Sequence, residues 1–277
     1  MIPSLSILFM AVTAVIVVAL PIALLILVTK KHGAKVVPAL VGAGAFMIFA
    51  MGFEQILHAV VLKPGADGGI ALLQKPALYI LYGAFAAGVF EENARFLSFK
   101  LLLKKYTGIG NAVSYGVGHG GAEAILIVGL NMISSLVLSL VYNSGSAAAL
   151  SGPPTNETIA AAVTAIAEAK PYLFLVSGFE RVISIVIHIA LSVIVFLSVC
   201  GTGKRRVLFP LAILLHAFVN VPAAMYQTGV IKNVIVTESL IAVFAALFAV
   251  FAFFLAKKLA PAPEPECELP EQAGPPQ

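Results

Sequence analysis

The 277-residue chain has no Trp, only two Cys and only 11% charged residues. Without Trp, any aromatic belt at a membrane surface falls to the seven Tyr and eighteen Phe. The two cysteines, Cys200 and Cys267, cannot build a disulfide framework, and neither has a second Cys at metal-ligand spacing. The shortage of charge, set against 60% hydrophobic residues and a mean hydropathy of +1.03, excludes an ordinary soluble domain. No Lys or Arg precedes Lys30, so the first apolar run lacks the positive flank of a signal peptide. It is also too long for one, and reads as a retained span.

What the chain does have is seven apolar runs, each long enough to cross a bilayer, which takes roughly 20 helical residues. They fall near 4–29, 36–62, 77–103, 111–142, 171–199, 206–228 and 236–256. The expected fold is an all-α, polytopic membrane bundle of about seven helices. It has eight if the overlong fourth run breaks around Gly116, Gly118, Gly120 and Gly121, where glycine also permits close backbone approach. Basic residues alternate between the two sides. Eleven of the seventeen Lys and Arg follow spans one, three, five and seven: Lys30, Lys31, Lys35, Lys100, Lys104, Lys105, Lys204, Arg205, Arg206, Lys257 and Lys258. Only Lys63, Lys75, Lys170 and Lys232 lie at the opposite ends. The positive-inside rule then puts the N-terminus outside and the C-terminus in the cytoplasm. These basic loops set topology and give no sign of a nucleic-acid partner. Residues 1–259 form the membrane domain, and the Pro/Glu-rich stretch 260–277 is expected to be a disordered cytoplasmic tail. Between spans four and five, Thr155 is a plausible N-cap of a short helix, and Asn156-Glu157-Thr158 matches a glycosylation sequon.

Arg95 and Arg181 are the two cations left inside spans, and they have polar company: Glu91-Glu92-x-x-Arg95, His119-x-x-x-Glu123, Glu180-Arg181, His188 and His216-x-x-x-Asn220. An ionisable side chain in hydrocarbon costs on the order of 3 kcal/mol on insertion scales, so a set of them on neighbouring spans points to function. Residues four apart share a helix face, which aligns Glu91 with Arg95, His119 with Glu123 and His216 with Asn220. Counted from the basic loops at about 1.5 Å per residue, Glu91, His119, His188 and His216 fall roughly 12–24 Å deep and can meet in one layer. Two adjacent carboxylates in a dry site cannot both ionise cheaply. Arg95 can hold one as an ion pair and leave the other as a general base. Histidines can orient a water or bind a metal, and His216 with Asn220 can donate to a developing oxyanion. Arg181 lies roughly 34 Å from the basic end of its span. It is therefore expected in a separate, structural cluster with Glu180, Glu54 or His58.

Glu91-Glu92-x-x-Arg95 followed by His216-x-x-x-Asn220 resembles the CPBP/CAAX-protease superfamily of intramembrane proteases. Gly118-His119-Gly120-Gly121-Ala122-Glu123 and Phe179-Glu180-Arg181 with His188 are similar to its YhfC branch. The resemblance covers about residues 50 to 225. It implies a CAAX-protease-like bundle in a bacterial cell membrane, acting on a membrane-embedded or lipid-anchored peptide or protein. It casts Glu91 as the base that activates water, Glu92 and Arg95 as its positioning partners, and His216 and Asn220 as the oxyanion hole, with Glu123 and His188 in support. Where CAAX proteases carry Phe-x-x-x-His, this chain has Tyr115-x-x-x-His119 and a further His188, so either histidine can hold the water. The branch is called a metalloprotease, and zinc or another divalent metal would fall to His119, His188 and His216. His-Glu-x-x-His is absent, and a metal-free glutamate mechanism is equally compatible. Two other classes fit buried Glu, His and Arg: a proton-coupled transporter, against which the lack of an inverted repeat weighs, and a non-catalytic membrane scaffold.

Overall fold

The computed structural model describes residues 1–65, 69–145 and 156–259, and is helical throughout its regular structure. The long helices are α1 (Ser4–His32), α2 (Val37–Val61), α3 (Pro76–Leu97, running on to Leu102), α4 (Ile109–Asn143), a short α5 (Asn156–Glu168), α6 (Tyr172–Val199), α7 (Leu208–Gln227) and α8 (Val234–Leu259). Thr155 and the tail 260–277 lie outside the described residues.

Six of these helices, counting α7 with the short turn Gly203–Val207 before it, are long and apolar enough to cross a membrane. The expected seventh is α3. It has the length but not the apolarity, because Glu91, Glu92, Arg95 and Lys100 interrupt it. An eighth does not arise, since α4 continues as one 35-residue rod. Its irregularity is a π-helical turn at Ala124–Gly129, just past the glycines rather than at them. Two more π-helical turns, Phe46–Glu54 in α2 and Ser98–Leu102 in α3, flank the same region of the bundle. Such turns re-aim side chains at the cost of one helical register step and are frequent at functional sites.

Helix α6 is the central post: 72% of its most apolar window is buried, against 22–39% for the other five spans. Helices α4, α7, α8 and α1 pack around it. The glycines let α4 reach two neighbours at backbone contact. A Cβ on Gly118 would collide with the Ala39 carbonyl of α2, and one on Gly116 would sit 2.6 Å from Ile189 Cα of α6. Lipid tails give no hydrophobic drive between helices, so small residues that allow close packing carry the association. This approach brings His119, next to Gly118 in sequence, against both α3 and α6.

The obstruction at Gly118 is backbone, which cannot step aside as a side chain can. Gly118→Ala is therefore expected to destabilise the protein in detergent by about 1–3 kcal/mol or more through overpacking. Gly44, where a methyl group would have nothing within 4 Å, should accept Ala at no loss. Equal thermal midpoints for the two variants would contradict the packing account.

Candidate active site

Helix α3 delivers Glu91, Glu92 and Arg95 on the turns of one face, and all three are buried. Arg95 has none of its surface exposed. It pairs closely with Glu92, donates from Nε to Ser192 Oγ at 3.2 Å, contacts His188 Nδ1 through Nη2, and lies 3.8 Å from Glu91 Oε2. One cation thus ties α3 to α6 and holds both carboxylates of the motif.

The two glutamates have different partners. Glu92 Oε1 receives Arg95 and also accepts from His216 Nδ1 at 2.6 Å. Glu91 meets His119 Nε2 at 2.8 Å and His188 Nδ1 at 3.7 Å, both through Oε2. His119 is fully buried, edge-on to the Phe46 ring at 5.4 Å between centroids, with its Nδ1 unpartnered among the described residues. The Tyr115 hydroxyl, one turn before it, donates to Ser98 Oγ at 3.3 Å.

His188 is held from both sides. Its Nε2 lies 2.5 Å from Glu123 Oε2, and a carboxylate there requires Nε2 to carry the proton. Nδ1 then keeps its lone pair, which faces Arg95 and Glu91. Glu123 also accepts from Ser184 Oγ at 2.9 Å and pairs with Arg181, which in turn pairs with Glu180.

The expected separation of Arg181 into its own cluster does not hold. Arg181 reaches Glu123, Glu123 reaches His188, and His188 reaches Arg95, so the polar groups form one continuous chain across the bundle. The reason is reach. Arg181 and His188 lie two helical turns apart, roughly 10 Å, and Glu123 from α4 bridges that gap. A cavity of about 160 Å³ runs along this chain, lined by Glu91, Glu123, Arg181, His188, His216 and Asn220 among others. The alternative partners of Arg181 are occupied elsewhere: Glu54 lies 3.3 Å from His58, whose Nδ1 meets the Tyr82 hydroxyl at 2.6 Å.

Every site residue named from the sequence enters this assembly, with Asn220 placed at the cavity wall. Ser184 and Ser192 join it without having been expected. Their signal was present, since they stand four residues before and after His188 and so share its face. Of the expected ligand triad His119, His188 and His216, the first two come together with Glu91. Glu91, His119 and His188 offer ligand atoms all within 4.8 Å of one another, whereas His216 is engaged by Glu92.

Those three donors fit a metal. Ligands about 2.0–2.1 Å from a tetrahedral zinc lie roughly 3.3 Å apart, within the spread found here. Two imidazoles and one carboxylate are a usual donor set for zinc. His188 presents its lone pair inward because Glu123 fixes its tautomer, the carboxylate–histidine support common behind metal ligands. Since Nδ1 of His119 is committed to nothing among the described residues, that nitrogen can carry the proton and leave Nε2 to ligate. Arg95 shares the inner side of His188 and would have to withdraw from Nδ1 for the ligand set to close.

The YhfC intramembrane metalloprotease family matches residues 16–241, which takes in every site residue above. The uncharacterized membrane protein YhfC of Bacillus subtilis (strain 168) is 36% identical over 247 residues, covering 87% of this chain and 93% of that protein. No solved structure matches. The chain belongs to the YhfC intramembrane metalloprotease family.

Proposed function

We propose that this protein is an intramembrane endopeptidase that hydrolyses a peptide bond of a membrane-associated substrate with water activated at Glu91. The observation that carries the reading is the unequal access of the two carboxylates to the cavity. Glu92 is fully buried, with Oε1 on Arg95 and His216 and Oε2 sealed without a partner among the described residues, and it does not line the cavity. Glu91 makes its contacts through Oε2 alone and lines the cavity, which leaves Oε1 for a water.

In this reading Glu91 takes a proton from the water as its oxygen bonds to the scissile carbonyl carbon, then passes that proton to the leaving amine as the C–N bond breaks. Arg95 keeps the paired acids from repelling each other. Glu92 orients His216 by accepting from Nδ1, as a carboxylate orients the histidine of a hydrolytic triad. When the ring carries its second proton, Nε2 donates to the oxyanion, and the amide of Asn220 on the same face and cavity is a second donor. Glu123 positions His188. If a metal is used, Glu91, His119 and His188 would hold it, and it would supply Lewis-acid polarisation and a more acidic water. The basic ends of the spans support an outside N-terminus, a cytoplasmic C-terminus and α3 as the seventh span, in one membrane domain over 1–259 with a separate tail. The substrate class is a membrane-embedded or lipid-anchored peptide.

Glu91→Gln keeps the size of the side chain and removes the base. Cleavage of a membrane-anchored peptide by reconstituted protein should fall by about 10²–10⁴ while the variant stays folded. Wild-type turnover would remove Glu91 from the mechanism. Proton flux into liposomes that depends on Glu91, with no cleavage product, would instead identify a carrier.

The metal question has its own readout. Elemental analysis of purified protein is expected to find one zinc or other divalent ion per chain, and a chelator should remove metal and activity together. Glu123→Gln should weaken metal retention about 10–100-fold, as loss of a supporting carboxylate does. Full activity in metal-free protein would select the glutamate mechanism without metal.

A further inference from the structure

A second cavity, of about 360 Å³, opens at the basic end of the bundle, where α3 and α6 finish and α7 begins. It lies apart from the polar chain just described. Its charged walls are Lys100 and Arg206, its aromatic walls are Phe96 and Phe209, and Ser198 lies between them. The aromatic rings pack on each other at 4.4 Å between centroids, and the Lys100 ammonium stands 5.1 Å from the centre of the Phe96 ring. Ser198 Oγ donates to the Arg206 carbonyl at 3.3 Å, which fastens the start of α7 to the end of α6.

Among the described residues, no acid neutralises this cavity. Every ion pair among them is held by Arg95, Arg181 or a histidine. Along α3 the acid nearest to Lys100 is Glu92, eight residues and roughly 12 Å away. Along α6 the last acid is Glu180, and α7 contains none. Arg205 is engaged with the Leu259 carbonyl at 3.1 Å, so its neighbour Arg206 is the guanidinium that faces the cavity.

We propose that this cavity binds an anionic phospholipid, with the headgroup phosphate between Lys100 and Arg206 and the start of an acyl chain against Phe96 and Phe209. Two cations with no acid beside them among the described residues match a phosphate, and Arg and Lys are its usual protein donors. The placement separates a lipid from a free anion. The cavity sits where spans leave the hydrocarbon, and two of its walls are aromatic, which suits a molecule with one charged end and one apolar end. A bound lipid would brace α3 against α6 and α7, the three helices that carry Glu91, His188 and His216.

The test uses the full chain in detergent, with lipid retention read by native mass spectrometry and thermal midpoint. Wild-type protein should retain one phosphatidylglycerol and be stabilised by it, while phosphatidylcholine and inorganic phosphate at equal concentration do neither. Lys100→Gln with Arg206→Gln should lose at least tenfold in phosphatidylglycerol affinity. Lys257→Gln with Lys258→Gln, the same charge change at the same end, should not. Ser198→Leu fills the cavity with the charges kept and should also lose the lipid, which serves if the double variant fails to fold. Equal retention by all variants, or equal stabilisation by inorganic phosphate, would overturn the proposal. So would lipid binding seen only after removal of residues 260–277, because the acids of that segment would then be the occupant.

Discussion

A guanidinium with no exposed surface, in the middle of a helix bundle, must be neutralised and fully hydrogen-bonded, or the helices that bury it cannot stay packed. Arg95 meets that demand with four partners on two helices: Glu91 and Glu92 from its own, Ser192 and His188 from α6. Much of the site follows from this. Glu92 pairs with the cation and through the same oxygen takes His216 Nδ1 from α7. Glu91, at 3.8 Å, feels the same charge without being consumed by it. His188 receives Arg95 on one nitrogen and Glu123 on the other, which extends the network to α4 and Arg181. A cluster of this kind is weak evidence for stability, since apolar residues of similar volume would pack at lower cost. Its presence in the bundle is an argument for chemistry.

The backbone provides what the polar network requires. Side chains of His and Glu reach only a few ångströms, so α2, α4 and α6 must lie closer than bulky residues allow. Gly118 against Ala39 and Gly116 against Ile189 create that closeness. The π-helical turn after Glu123 lets the glycine-rich first half of α4 follow α2 and α6 while the second half continues along α1. Packing and site are thus one construction: a Cβ at Gly120 would meet His188 itself, at 3.0 Å from Cδ2.

Much of this was legible in the residues. Glu91, Glu92 and Arg95 are three and four apart, and helical geometry alone puts them together. Depth counted at about 1.5 Å per residue brought His119, His188 and His216 to one layer, because all the spans start from basic ends that act as a common datum. The same arithmetic failed for Arg181. It measures Cα positions and ignores long side chains, and a bridge such as Glu123 can join groups two turns apart. That Glu91, and not His216, stands with His119 and His188 was not legible either, since it depends on the His216–Glu92 bond across α3 and α7, a pairing 124 residues apart. The apolar runs marked seven crossings, yet α3 departs from the apolar pattern because it carries Glu91, Glu92, Arg95 and Lys100. Composition is least informative about the helix that matters most.

The central claim is that water held at Glu91 attacks the peptide bond directly. It is tested most directly by a single turnover of reconstituted protein on a membrane-anchored peptide in ¹⁸O-labelled water, with product and enzyme both analysed by mass spectrometry. The account predicts one labelled oxygen in the new carboxylate of the product and none in the Glu91 side chain. Label in Glu91 with an unlabelled product would mean that the carboxylate attacks as a nucleophile. The absence of any cleaved product would contradict hydrolysis altogether.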